Sequence, residues 1–284
     1  MVDGHGERIE TYEFQEVRGV GRLRENRLQR KWEHGEPALG CWLTVPSSFS
    51  AEILAHAGFD WLCVDLQHGV IDYAQMVGML QGMSSIDVAP LVRVPWNEPG
   101  IIGKCLDAGA YGVIVPMVNT REEAEAAVRA CRYAPGGARS YGPLRAAYSA
   151  GPDYFSSANT GVRCIIMIET AQAVDDVDNI VSVPGVDAVY VGPADLSITL
   201  GLQPGADNPD ESFSSAVRRI LDACHRHGVV PGIAGNARTA PKRLEQGFLM
   251  VEVASDSALL AAGAARALAE VRPGTDPAAQ AAYL

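Results

Sequence analysis

The sequence predicts an α/β fold, a TIM (β/α)8 barrel. Three observations carry this. From about residue 38 onward, short apolar runs alternate with helix-like patterns. The runs are apolar throughout rather than alternating in polarity, as strands buried on both faces are. Eight such units fit within about 235 residues, the size of this barrel. A doubly wound open sheet ordinarily uses fewer strands and opens with G-x-G-x-x-G. Neither that fingerprint nor a Walker A motif occurs after a strand.

The first unit pairs "ALGCWLTV" (38–45) with "SSFSAEILAHAG", where Ser48 or Ser50 is expected to cap the helix and Gly58 to end it. "WLCVDL" precedes "DYAQMVGMLQGM". "APLVRV" precedes "EPGIIGKCLDAG", marked as a helix by proline near its start and glycine at its end. "GVIVPMV" leads into "TREEAEAAVRACRY", with a capping-box pattern at Thr120 and Glu123. A long Gly/Pro/Ser/Ala-rich loop is expected from Ala134 to about Val162. "CIIMIE" and "AQAVDDVDNIVSV" resume the rhythm. "AVYVGP", another loop and "SFSSAVRRILDACHRHG" follow, then "VVPGIA" with "RTAPKRLEQG", and "FLMVEVA" with "SALLAAGAARALAEV". Three parts result: an N-terminal extension (1–35) with a charged, helix-prone end expected to cross the barrel's lower end, the barrel (36–272), and a tail (273–284).

Composition narrows the function. With 48% hydrophobic and 20% charged residues the chain reads as an ordinary soluble globular protein. No run approaches the ~18 apolar residues of a membrane span, and the N-terminus lacks a signal-peptide pattern. A cytoplasmic location is expected, with no membrane partner. A net charge of −11 argues against nucleic acid. The six cysteines are scattered, without a C-x-x-C pair, and read as reduced and buried.

Catalytic groups of a TIM barrel stand at the C-terminal ends of its strands. Of six histidines, only His68, in "VDLQHG", lies just past such an end. Asp65 is close enough in sequence to fix its tautomer and raise its basicity. The three lysines, Lys31, Lys104 and Lys242, fall in the extension or in helices. Schiff-base chemistry needs a desolvated lysine in the mouth, so a metal is the expected electrophile. Glu169 ends "IIMIET" and Asp195 follows the Gly-Pro turn of "VYVGPADLS". Two carboxylates on adjacent strands suit a hard divalent ion such as Mg²⁺ or Mn²⁺, with Co²⁺ as a further candidate. Arg93 in "LVRVP" requires an anionic partner, either a protein carboxylate or a substrate carboxylate or enolate. Gly192 and Ala194, flanking Pro193, are expected to offer backbone N–H groups at the same mouth.

These residues, in this order, resemble the HpcH/HpaI family of metal-dependent (class II) pyruvate aldolases. The resemblance spans about residues 24–272 and includes "NRLQRKWEHGEPALGCWL", "DWLCVDLQHG", "PLVRVP", "LDAGAYGVIVPMVNT", "RYAPGGARSYGP", "IIMIET" and "VYVGPADLS". It implies a barrel whose last helix swaps between subunits, commonly in hexamers, so a homo-oligomer (trimer or hexamer) is expected. It implies reversible cleavage of a 4-hydroxy-2-oxo acid to pyruvate and an aldehyde. Glu169 and Asp195 would hold the metal, Arg93 would stabilise the enolate oxygen, and Gly192 and Ala194 would hold the carboxylate. His68, oriented by Asp65, would act on the aldol hydroxyl. The loop carrying Arg139 and Gly142 would cover the mouth or reach a neighbouring subunit's site. The chain departs from the family at Gln67, where many members read D-x-E-H, and at Met167, where several have glutamine. Both changes make the metal site less polar, and Gln67 stays near the metal waters as a hydrogen-bonding residue. Two other chemistries within the superfamily are alternatives: oxaloacetate decarboxylation coupled to C–C bond formation, as in macrophomate synthase-like proteins, and cleavage of acyl-CoA thioesters, as in citrate lyase-like ones. The absence of an obvious basic patch for CoA phosphates ranks the second lower.

Overall fold

A computed structural model describes residues 26–151 and 153–272. Eight strands, β1 (Ala38–Leu43), β2 (Trp61–Asp65), β3 (Ala89–Arg93), β4 (Gly112–Val115), β5 (Arg163–Ile168), β6 (Ala188–Val191), β7 (Val230–Ile233) and β8 (Met250–Ser255), pair in parallel in sequence order, and β8 closes on β1. This is the expected closed barrel. Helix α1 (Arg27–Glu33) precedes it; α2 (Ser48–Ala55), α3 (Tyr73–Gly82), α4 (Pro99–Asp107) and α5 (Arg121–Cys131) follow the first four strands. Helices α6 (Leu144–Ala150) and α7 (Tyr154–Gly161) lie before β5, and α8 (Ala171–Asp175) and α9 (Val177–Val181) after it. Helices α10 (Pro193–Thr199) and α11 (Glu211–His227) follow β6, then α12 (Ala240–Glu245) and α13 (Asp256–Val271).

Because both faces of each strand are buried, the core has two layers. Alternate strand residues (Leu43, Leu62, Val64, Val92, Val113, Ile166) pack outward against the helices. The others (Trp42, Trp61, Cys63, Leu91, Met167, Tyr190, Met250) fill the barrel interior. Leu28 of α1 is fully buried in that interior cluster, with Trp32 packed beside it, so the helix covers the barrel's lower end as expected. It is pinned there by Asn26, whose amide donates to the carbonyls of Tyr111 and Gly161, and by the Arg27–Asp60 ion pair. The expectations for residues 1–25 and for the tail 273–284 lie outside the described residues. At the barrel's seam, buried Asp256 accepts hydrogen bonds from the N–H groups of Thr44 and Val45 at 2.9 and 3.0 Å, tying the start of α13 to the end of β1.

Three local expectations change. Ser47, rather than Ser48 or Ser50, caps α2, accepting from Ser50 N–H. Thr120 caps α5 as expected, but Glu123 reaches back to Asn119 N–H, one residue earlier than a capping box requires. The segment 134–162 is not one loop. Helices α6 and α7 form in it because Tyr133, Ala146, Ala150, Tyr154 and Ala158 make a small core of their own, and Asn159 bonds the backbone of Tyr133 in both directions. All six cysteines are free and buried, as expected. Among the described residues, no helix is long and apolar enough to cross a membrane.

Candidate active site

A cavity of about 340 Å³ opens at the C-terminal ends of the strands. Its wall carries Asp65, His68, Arg93, Glu169, Gly192, Pro193, Ala194 and Asp195, so the topology brings together eight of the ten residues singled out in the sequence.

Arg93 ends β3 and meets Asp65 at the end of β2, its partner in strand register. The contact is bidentate: Nε donates to Oδ1 at 2.9 Å and Nη2 to Oδ2 at 2.5 Å. The guanidinium also lies over the Trp42 ring, 4.4 Å from its centroid. Hydrogen bonding to Asp65 and its charge hold the Arg93 pKa up against the opposing effect of burial. The expectation that Asp65 pairs with the His68 ring therefore changes. A guanidinium fork matches both carboxylate oxygens, and Oδ1 spends its remaining capacity on the backbone N–H groups of Gln67 and His68, at 3.0 and 3.3 Å. Asp65 thus shapes the turn that carries His68, whose side chain stands exposed at the open side of the cavity.

Glu169 follows β5 and is buried, 2% exposed. Its Oε1 accepts the Met117 N–H at 2.7 Å. Met117 has φ 55°, the only positive φ at a non-glycine among the described residues. Backbone strain of this kind costs on the order of 1 kcal/mol and collects at functional sites. Burial pushes the Glu169 carboxyl up to about 7, and the charge of Asp195 adds to the rise, against the Met117 hydrogen bond and Arg93. Gly192 makes room for this side chain, since a Cβ there would lie 2.4 Å from Glu169 Oε2. The pair of carboxylates fits a divalent cation. The charge of Asp195 raises the proton affinity of Glu169, and a dication relieves that repulsion. No set of three His, Cys, Asp or Glu side chains placed to hold a metal occurs among the described residues, so water or substrate oxygens would complete the shell, as hard ions accept.

Three expected roles shift. The N–H of Gly192 bonds Ile168 O at 3.3 Å and Pro193 has none, leaving Ala194 N–H, in a first helical turn without a side-chain cap. Gln67 does not reach the cavity wall; its Oε1 is buried without a hydrogen-bond partner. Arg139 is not on the wall of its own chain's cavity, which leaves the second of its two expected placements, at a neighbouring subunit's site, as a proposal. Its guanidinium pairs with Asp107 at 2.6 Å and stacks 4.5 Å from the Tyr133 centroid, because α6 and α7 fold the loop down as a packed layer.

Sequence reasoning passed over several wall residues, among them Trp42, Tyr190 and Glu252. Trp42 Nε1 donates to Tyr190 Oη at 3.0 Å. Glu252 is a carboxyl in the apolar run "LMVEVA", and the argument that singled out Arg93 in its strand applies equally to it. Burial pushes its carboxyl up to about 8, opposed by the Gly235 N–H hydrogen bond and by Arg93.

The model of the family described as HpcH/HpaI aldolase/citrate lyase matches residues 38–262. The chain belongs to this family. It is 40% identical over 248 residues to a hydroxypyruvate/pyruvate aldolase of Rhizorhabdus wittichii, covering 87% of this chain and 99% of the relative. It is 39% identical over 249 residues to a 4-hydroxy-2-oxo-heptane-1,7-dioate aldolase of Escherichia coli, covering 86% and 94%. A crystal structure of an HpcH/HpaI aldolase/citrate lyase family protein from Burkholderia cenocepacia superposes with a TM-score of 0.81 at 35% identity, covering 87% of this chain and 99% of that one. Fold and family membership are thus as the resemblance implied.

Proposed function

We propose that this HpcH/HpaI family member is a carbon–carbon lyase, a divalent-metal-dependent aldolase that reversibly cleaves a 4-hydroxy-2-oxo acid into pyruvate and an aldehyde. The observation that carries this reading is the meeting of Glu169, Asp195 and Arg93 on one cavity wall in a chain whose lysines all lie elsewhere.

Glu169 and Asp195 would hold the cation, Mg²⁺ or Mn²⁺ in preference to Co²⁺, which supplies a Lewis acid for the 2-oxo acid when bound. Ala194 N–H receives the substrate carboxylate. Arg93, kept charged and oriented by Asp65, donates to the keto oxygen and stabilises the negative charge that grows there. His68 takes the proton of the C4 hydroxyl. The C3–C4 bond breaks, the aldehyde leaves, and the electron pair remains as pyruvate enolate until a proton returns to C3. In the synthetic direction, His68 gives that proton to the new alkoxide.

The site belongs in an oligomer on this reading. Helix α13 buries only Asp256 of its sixteen residues and exposes Leu259, Leu260, Leu268 and Val271. A helix with so bare an apolar face gains its stability from packing elsewhere, which supports exchange of this helix between copies.

Incubation with pyruvate in D₂O tests the reaction. Exchange of the methyl protons is expected only with divalent metal, and Glu169→Ala or Asp195→Ala should abolish it in folded protein. Exchange that persists after metal removal would overturn the proposal.

A further inference from the structure

Two contacts of different kinds aim the guanidinium of Arg93. The fork to Asp65 fixes its position within its own plane but leaves that plane free to tilt about the line joining the two groups. The Trp42 ring, with its centroid 4.4 Å from the guanidinium carbon, takes up that freedom, since a flat cation stacks on an aromatic face. Arg93 is then aimed only as firmly as Trp42 is held.

That hold runs across the barrel interior, from Trp42 on β1 to Tyr190 on β6 and Glu252 on β8. Trp42 Nε1 donates to Tyr190 Oη at 3.0 Å, and the two rings meet edge to face with centroids 5.7 Å apart. The Tyr190 hydroxyl also bonds the Glu252 side chain, whose Oε2 accepts the Gly235 N–H at 3.1 Å. The chemistry of the groups fixes the directions. An indole N–H only donates, so Oη accepts from it, and the one proton of the phenol goes to Glu252. A buried network paired in this way is rigid. Glycines open the space for it: a Cβ at Gly232 would lie 3.0 Å from Tyr190 Cδ2, and one at Gly40 would lie 1.9 Å from the Trp61 ring, against which Tyr190 packs at 6.2 Å. A barrel interior that needed only filling would be served by phenylalanine and an aliphatic residue at these positions. A phenol and a carboxyl carry a desolvation cost that such residues do not.

We propose that Tyr190 and Glu252 are positioning residues, which hold the Trp42 indole at the angle that keeps the Arg93 guanidinium facing the keto oxygen of the substrate. This rests on the aldolase reading above. Their effect is exerted where charge grows in the transition state, so it falls on kcat more than on KM.

The test is a double-mutant cycle in the full chain with Mg²⁺, read as methyl-proton exchange of pyruvate in D₂O. Tyr190→Phe keeps the ring and loses only the hydroxyl. Its kcat should fall about tenfold, with KM within about twofold of wild type, as slight misorientation of a group at the reacting atom implies. Arg93→Lys substitutes a point charge that has no plane for a ring to set, so adding Tyr190→Phe to it should cost less than about twofold. Glu252→Leu should reproduce the Tyr190→Phe loss, and Glu252→Gln, which keeps an oxygen to accept from Tyr190, should recover most of it. A second readout needs neither metal nor substrate. The Arg93 Nε–H proton resonance, identified by its disappearance in Arg93→Lys, lies in the ring current of Trp42 and should shift in Tyr190→Phe. Equal losses from Tyr190→Phe in the wild-type and Arg93→Lys backgrounds, undiminished exchange in Tyr190→Phe, or an unmoved resonance would each overturn the proposal and leave the aldolase reading standing. Absence of metal-dependent exchange in the wild type would instead overturn the aldolase reading, and the role of Tyr190 and Glu252 with it.

Discussion

Arg93 and Asp65, neighbours in register on β3 and β2, bind each other through two parallel hydrogen bonds at the cavity wall. Asp65 is 2% exposed, and the Arg93 side chain 13%. This pair, rather than an Asp65–His68 dyad, organises the polar side of the pocket. It fixes the direction of the one arginine on the cavity wall, and through Oδ1 it fixes the turn at Gln67 and His68.

Breaking the pair should therefore cost stability as well as activity. Removing one partner of a buried ion pair leaves the other charge uncompensated, typically about 3–5 kcal/mol. Asp65→Ala is expected to lower the urea midpoint by a corresponding amount. Arg93→Lys keeps the charge but loses the fork, and pyruvate exchange should fall at least tenfold in a protein that still folds. Unchanged exchange in Arg93→Lys would show that a point charge suffices there.

Glu169 sets a pH dependence whose sign is fixed by burial. Its folded carboxyl titrates near 7, above the ordinary 4.5, so the folded protein binds this proton more tightly than the unfolded chain. The associated stability is complete below about pH 4.5 and declines as pH rises towards 7, by about 3 kcal/mol in metal-free protein. A divalent ion needs the ionised form, so its affinity should drop about tenfold per unit below pH 7. Melting curves between pH 5 and 8, with and without Mg²⁺, check both: metal should raise Tm at pH 8 and hardly at all at pH 5. A Tm for metal-free protein that climbs from pH 5 to 7 would contradict the assignment.

Much of this site was legible in the chain because a barrel converts sequence position into spatial position. Residues just past apolar runs arrive at one rim, so Asp65, His68, Arg93, Glu169 and Asp195 can be grouped from the sequence alone. Pairing within the rim was not legible. Spacing put Asp65 near His68 in sequence, but strand register put it opposite Arg93, and a bidentate guanidinium competes better for both oxygens than an imidazole does for one. The structure of the loop that carries Arg139 was not legible for a related reason: composition marked it as irregular, and the contacts that fold α6 and α7 join residues some 20 apart. Glu252 was detectable, since a lone carboxyl in an apolar strand raises the question that Arg93 raised.

Gly192 offers a test of the metal-binding geometry that avoids touching a ligand. Its backbone, at φ −95° and ψ 93°, suits any residue. Its missing Cβ matters because that atom would meet Glu169 Oε2 at 2.4 Å and Glu169 Cβ at 2.9 Å. Gly192→Ala should displace the carboxylate, weakening metal binding by about 10- to 100-fold, the range seen when atoms that orient ligands are disturbed, with a native circular dichroism spectrum. Titration with Mn²⁺, followed by the metal's own paramagnetic signal, measures this directly. Wild-type affinity would mean that Glu169 does not hold the ion in this rotamer.

Gln67 carries the last prediction. The chain has glutamine at 67, where the resemblance described above implies a D-x-E-H pattern, and on that pattern a glutamate at the metal would be expected to tighten it. The geometry argues otherwise. Gln67 does not line the cavity, its Oε1 is buried without a partner, and its own N–H is spent on Asp65. An ionised carboxylate placed there would bury charge with no donor and next to Asp65, costing about 1–3 kcal/mol. Gln67→Glu should therefore lower stability while leaving metal affinity and the pyruvate exchange rate within about threefold of wild type. The loss should be larger at pH 8 than at pH 5, because protonation removes the buried charge and a carboxyl held up by burial loses stability as pH rises past its ordinary value. Denaturation at the two pH values, alongside the exchange assay, checks it. A stable variant with altered metal affinity would place Gln67 among the residues that act on the metal.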